Sequence, residues 1–205
     1  MRKGFCVPMI ALCLLLTACG TEEEVTAQTL RQPYLDAPSC SMTAMVRCDQ
    51  EGLAWEGTLR CEYVPGGEST VEVLAPELIA GVKAIVSGED YSLSYEGEIL
   101  NISPLTQEGI SPANCLPRLM DALREGWLLE ENREPWEETE CIRFAVDQSG
   151  SSGKKLVSTF WLRLEDAMPL RAELAVEEEV IFIVEFTEFA FCDMMDIQEE
   201  VSSGK

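Results

Sequence analysis

The sequence predicts a mainly β (α+β) fold: a strongly curved antiparallel open β-barrel of about eleven strands, with a helix packed on its concave face. Three observations lead there. Residues 40–63 make a hairpin with one apolar and one polar face. Strand-length segments then recur to residue 189, separated by Gly, Pro and Ser turn signals. A single helical stripe, Leu116, Leu119, Met120 and Leu123, interrupts them between residues 102 and 127. A flat sheet of that many strands exposes its edges or curls. Curling it around the helix buries both apolar surfaces.

The chain opens with a signal peptide, residues 1–18. Arg2 and Lys3 precede an apolar run from Phe5 to Ala18 that ends in Leu16-Thr17-Ala18-Cys19, a bacterial lipobox. The run is about 14 residues, and a spanning helix needs roughly 20. Cleavage before Cys19 and acylation of its thiol and new amino terminus give a lipid-anchored protein on the outer face of the cell membrane. Residues 19–39 are expected to form the anchor and a polar tether, with room for a short helix around 24–32. At full extension about 17 residues of such a tether reach roughly 55–60 Å.

The domain proper is expected over 40–191. Around the turn Asp49-Gln50-Glu51-Gly52, a symmetric hairpin sets Cys48 opposite Leu53, Val46 opposite Trp55, Ala44 opposite Gly57, Met42 opposite Leu59 and Cys40 opposite Cys61. All ten then share one face, and Cys40 and Cys61 lie near the separation a disulfide needs. Their remaining in the thiol form is the alternative. Strands follow at 70–75, 80–86, 91–95 and 98–102, with Glu96-Gly97-Glu98 as a turn. Ser111 and Pro112 supply a helix-start signal, Pro117 a second, and Gly126 a C′ stop. Strands resume near 127–131, 140–146, 155–164, 169–176 and 180–189. The run from Val180 to Phe186 is apolar on both sides, as a covered central strand requires. Residues 192–205 are expected to be a peripheral tail.

Composition narrows function. Removing the signal peptide takes the formal charge from −22 to −24, so nucleic acid, which is held by Lys and Arg, is not a partner. With no histidine in the chain, the commonest general base and the Ser-His and Cys-His nucleophile pairs are missing. No catalytic residue, metal site or cofactor is assigned. The acidic runs Glu22-Glu23-Glu24 and Glu177-Glu178-Glu179 lack the alternating ligands of a calcium loop.

The chain resembles LolA-like bacterial lipoproteins, most closely the GerS-like germination lipoproteins of Gram-positive bacteria. The resemblance is carried by Pro76-Glu77-Leu78-Ile79-Ala80-Gly81-Val82, Ile110-Ser111-Pro112, Leu119–Gly126, Pro169–Leu174 and Val184–Phe189, and covers roughly residues 40 to 190. It implies a half-barrel with helices in its concave side and an apolar cavity for acyl chains, lipids or a lipoprotein. GerS-like members imply instead a partner enzyme of the cell wall.

The expected cavity is lined by Met42, Val46, Trp55, Leu59, Tyr63, Leu116, Leu119, Met120 and Leu123; the same residues packed as a dry core are the alternative. Trp136, in an apparent loop, is the candidate contact for an envelope protein, unless it folds back on the sheet. Arg118 and Arg124 are expected at the solvent edge of the helix, with headgroup contact as the alternative.

Overall fold

A computed structural model describes residues 25–50, 53–88, 90–100, 109–149 and 154–192. Cys19, the signal peptide, strand positions 101–102 and the tail from 193 onward lie outside the described residues. Eleven strands form one antiparallel sheet, in the order β6-β5-β4-β3-β2-β1-β11-β10-β9-β8-β7. The strands are β1 (Ser39–Gln50), β2 (Leu53–Tyr63), β3 (Glu68–Ala75), β4 (Lys83–Ser87), β5 (Asp90–Tyr95) and β6 (Glu98–Leu100), then β7 (Trp127–Arg133), β8 (Cys141–Asp147), β9 (Leu156–Arg163), β10 (Pro169–Val176) and β11 (Glu179–Cys192). The sheet is open, because β6 and β7 are its two edges. The strand predicted to be central, β11, pairs with β1 and β10 in the middle of the order.

Consecutive in the chain yet at opposite edges, β6 and β7 must be joined by a segment that crosses the whole sheet. Laid flat, eleven strands would span roughly 48 Å. Its described part, from Gly109 onward, lies on the concave face and includes helix α2 (Cys115–Glu125). One core cluster joins Val71 and Ala84 on one wing to Phe144 and Phe160 on the other, so the sheet bends around its contents. Bulges at Thr43/Ala44, Thr58/Leu59, Leu128/Glu130 and Leu174/Ala175 each add twist and bend.

The first hairpin keeps its predicted faces and shifts its register. The ladder continues to Gln50↔Leu53, so Cys48 faces Trp55, Val46 faces Gly57, Ala44 faces Leu59, Met42 faces Cys61 and Cys40 faces Tyr63. Asp49 and Gln50 are therefore strand, not turn. Each partner moves by two positions, which preserves the face and changes the neighbour. The bridge expected between Cys40 and Cys61 is not formed: the two sit diagonally, where Cα atoms are about 7–8 Å apart, and both are free thiols.

The segment expected as tether is also corrected. Residues Ala27–Asp36 form helix α1, and Ala27, Leu30 and Tyr34 are buried in the core. Thr26 and Thr29 cap its start reciprocally, and Glu131 on edge strand β7 accepts the Ala27 N–H at 2.8 Å. Tyr34 donates to the Ala167 carbonyl at 2.6 Å and packs against the rings of Phe189 and Phe191. A polar-looking sequence with apolar residues at positions 27, 30 and 34 is thus a docked helix.

Helices α1 and α2 cap one another. Arg31 donates to the carbonyls of Leu123 (2.6 Å), Arg124 (3.0 Å) and Gly126 (2.9 Å). Arg124 in return donates to the carbonyls of Tyr34, Leu35 and Ala37. Each cation satisfies the orphan acceptors and the negative end of the other helix.

Candidate functional site

Helix α2 starts later than the first sequence signal. Asn114 is the N-cap, and its side chain points back along the chain, accepting the Ser111 N–H at 2.8 Å and donating to the Gly109 carbonyl at 2.8 Å. Ser111 therefore begins a preceding turn. That turn holds Pro112 and Ala113 against the sheet instead of letting the helix continue through them. Gly126 ends the helix as expected, but at φ −59° and not in the left-handed region. Glycine is required there by contact: a Cβ would stand 2.5 Å from the Ala122 carbonyl oxygen and 2.7 Å from Val146.

The helices fill only part of the concavity. Beneath α2, Leu116, Leu119, Met120 and Leu123 meet Met42 and Val46 in a core in which none of the six exceeds 2% exposure. The space left near Tyr34, Tyr63 and Met120 is about 10 Å³, too small for a comfortable water. Tyr63 is buried as well and donates to Asp121 at 2.5 Å. Burial, followed by that hydrogen bond, raises the Tyr63 phenol above its ordinary value, and burial raises Asp121. Seven of the nine residues expected to line a cavity are thus packing, not lining.

The remaining two, Trp55 and Leu59, border an apolar hollow of about 220 Å³ on the other wing. Its floor is the concave face of β2 to β5, from Val71 and Val73 through Ala84 to Tyr91 and Leu93. Ile79, in the 3-10 turn Glu77–Ile79, and Val82 close one end, and Ser111-Pro112-Ala113 make the wall toward α2. Trp55 takes its position because β2 carries Gly57 beside it: a Cβ there would lie 2.5 Å from the indole Cζ2. Leu78, next to Ile79 in the chain, is 92% exposed.

Polar chemistry is sparse in the hollow. The lining residues contribute the hydroxyls of Ser111 and Tyr91 and no carboxylate, ammonium or guanidinium. Ser111 Oγ lies 3.4 Å from Asn114 Oδ1. Among the described residues, no group of three or more Cys, Asp or Glu is placed to hold a metal ion. Among the described residues no disulfide is formed, and five of the six cysteines are buried. Burial pushes Cys40 and Cys115 up to about 12 and Cys61 well above its ordinary value, so these sulfurs are neutral at pH 7. The lining is apolar apart from the Ser111 and Tyr91 hydroxyls and the Trp55 indole N–H.

Trp136 does not stand free. It is half-buried on the convex face, its ring 5.9 Å from that of Trp161 and 4.5 Å from the Arg171 guanidinium. The Trp161 indole N–H donates to Glu134 at 3.2 Å, and Arg143 and Arg171 flank the pair with bonds to Glu130 and Glu173. The Trp136 loop folds back as a cover over β8 to β10. The exposed tryptophan is Trp127, 78% accessible at the start of edge strand β7.

The sequence reading missed the β3 to β5 side of the site. Its signal was present: Val71 and Val73, Val82 and Ala84, and Tyr91 and Leu93 alternate as the first hairpin does. The register then carries them onto the same face through Leu59↔Val73, Val71↔Ala84 and Ala84↔Leu93.

No family model matches the chain, and no curated protein matches it. Solved structures similar in shape include an uncharacterised conserved protein from Thermus thermophilus, at 18% identity and TM-score 0.48, covering 85% of this chain and 92% of that one. A putative outer membrane lipoprotein-sorting protein domain from Vibrio parahaemolyticus is similar at 12% identity and TM-score 0.44, covering 85% and 96%. A LolA superfamily protein from Nitrosomonas europaea is similar at 13% identity and TM-score 0.40, covering 84% and 96%. Likenesses this distant establish no residue role and no activity for this chain.

Proposed function

We propose that this chain is a non-enzymatic lipoprotein, anchored through Cys19 on the extracytoplasmic face of the cell membrane, whose hollow holds an acyl chain of a lipid or lipoprotein. The observation that carries the reading is the unfilled apolar space between Trp55, Leu59, Ala84 and Leu93, in a sheet whose other wing is packed shut. Concave apolar pockets are the usual place for a ligand, and a dry cavity of about 150 Å³ takes up a benzene. At about 220 Å³ the hollow suits one hydrocarbon segment, not a bundle of chains.

Each buried methylene contributes about 0.8 kcal/mol, close to fourfold in affinity. Titration of the mature protein with alkanols of increasing length is expected to show that increment until the hollow is full, then a plateau. Ala84→Trp, which fills the floor, abolishes the increment. Binding that is weak at every length, or unchanged by Ala84→Trp, contradicts the reading.

A second reading is a protein-interaction module supporting a cell-wall or germination enzyme, as the GerS-like resemblance suggests. It is favoured by Trp127, an aromatic at an exposed edge, and not by Trp136. Pull-down from native membranes with wild type and Trp127→Ala compares it with the first: loss of one specific envelope protein supports it.

A further inference from the structure

We propose that Arg118 receives the anionic head of the amphiphile whose chain occupies the hollow, making the ligand a single-chain carboxylate or phosphate and not a neutral lipid. This deepens the reading above and rests on it.

Most described arginines have their partners. Arg31 and Arg124 donate to helix carbonyls. Arg47, Arg60, Arg143, Arg163 and Arg171 pair with carboxylates. Arg118 differs. It is half-buried, and its Nε, shut off from solvent, has no hydrogen-bond partner among the described residues. A guanidinium carries five donors in a fixed fork suited to carboxylate or phosphate, and an unmet buried donor is costly. In a chain with 37 acidic residues, no carboxylate forms an ion pair with Arg118 among the described residues, and its terminal nitrogens, not the enclosed Nε, are left to meet an anion. Asp121, three residues on, attracts it electrostatically, but Asp121 Oδ1 already accepts from Tyr63.

Position ties the cation to the hollow. Its terminal Nη2 lies 4.0 Å from where a Cβ on Gly109 would stand. Gly109 is two residues, at most about 7 Å of chain, from Ser111, where the wall of the hollow begins. Gly109 carries no side chain to screen the guanidinium, and the Asn114 amide fixes its carbonyl. By that path Nη2 lies at most roughly 13 Å from the Ser111 Cα, a gap that the first methylenes of a chain resting on Pro112 and Ala113 would span. The chain's net charge of −22 opposes any anion at long range, so a preference for anions must come from a local contact.

The test is binding of dodecanoate, dodecyl phosphate and dodecanol at pH 8 to wild type, Arg118→Met and Arg118→Lys. Wild type is expected to bind at least one anion roughly tenfold or more tighter than dodecanol, the scale of a charged hydrogen bond. Arg118→Met, which keeps the stem, is expected to erase that preference while binding dodecanol unchanged, and Arg118→Lys to restore part of it. Whichever anion shows the preference tells a carboxylate source from a phosphate one. Equal binding of all three probes by wild type, or a preference that survives in Arg118→Met, overturns the proposal and leaves the hollow standing. Failure to bind any probe, dodecanol included, overturns the hollow itself and this proposal with it.

Discussion

At the residue scale, charge satisfaction and burial decide the consequences. Arg31 holds three carbonyls at the end of α2, and burial lowers its pKa from the ordinary arginine value. Arg31→Met removes all three bonds and is expected to lower stability to urea by about 1.5–3 kcal/mol. The thiols act in the opposite pH range from most carboxylates. Cys40 and Cys115 go from an ordinary 9.0 to about 12 in the folded chain. Below pH 9 both folded and unfolded chains hold these protons, so the thiols cost nothing. Above pH 9 the unfolded chain releases them first, and stability falls until the folded thiols also ionise near pH 12. Urea melts between pH 9 and 10.5 are expected to lose up to about 1.4 kcal/mol per pH unit for each thiol. A Cys40→Ala/Cys115→Ala protein shows a flatter slope; an unchanged slope places the alkaline loss elsewhere.

At the scale of elements, turns and close approaches set what can change. β10 and β11 are joined through Glu177 and Glu178, both in the left-handed region at φ 50° and 74°. Such turns favour Asn-Gly, so replacing the pair by Asn-Gly is expected to raise stability by about 1 kcal/mol, read as a higher urea midpoint. At Gly126 the reverse holds. Gly126→Ala drives a methyl into Ala122 and Val146 and is expected to cost about 1–3 kcal/mol.

These elements also show what a sequence can disclose. The two-residue period put Met42, Val46, Trp55 and Leu59 on one face, and this survived a register shift because that shift moved every partner by two. The register itself was hidden because Asp49 and Gln50, good turn formers, continue the ladder. Helix α1 was half-hidden: its apolar contacts are only three residues, and Arg31 and Glu131 secure it from positions that look like surface charge. Gly126 was recognised as a stop, but the reason, backbone against Val146, exists only once β8 is packed.

At the scale of the molecule, the open sheet divides its concavity. The wing from β8 to β1 is closed by two helices that cap one another, and the wing from β2 to β5 is left with a hollow. Which wing the helix would fill was not legible, because it depends on where the crossing from β6 to β7 lands. The docked α1 also shortens any leash. From Cys19 to Val25 the chain spans at most roughly 20 Å, so on the proposed anchor the domain would ride close to the bilayer, and on the proposed function direct exchange of chains with it is the expected route. Lengthening the leash by twenty Gly-Ser residues before Val25 is expected to slow acyl transfer from vesicles to the anchored protein; an unchanged rate means that proximity is not limiting.

The most direct test of the central claim is a crystal structure of the mature domain with an ω-brominated fatty acid, located by bromine anomalous scattering. A bromine peak between Trp55, Leu59 and Ala84, with the α2 core undisturbed, is the expected result. A bromine beneath α2 among Met42 and Leu119, or a hollow closed by its own side chains with no bromine at all, would contradict it.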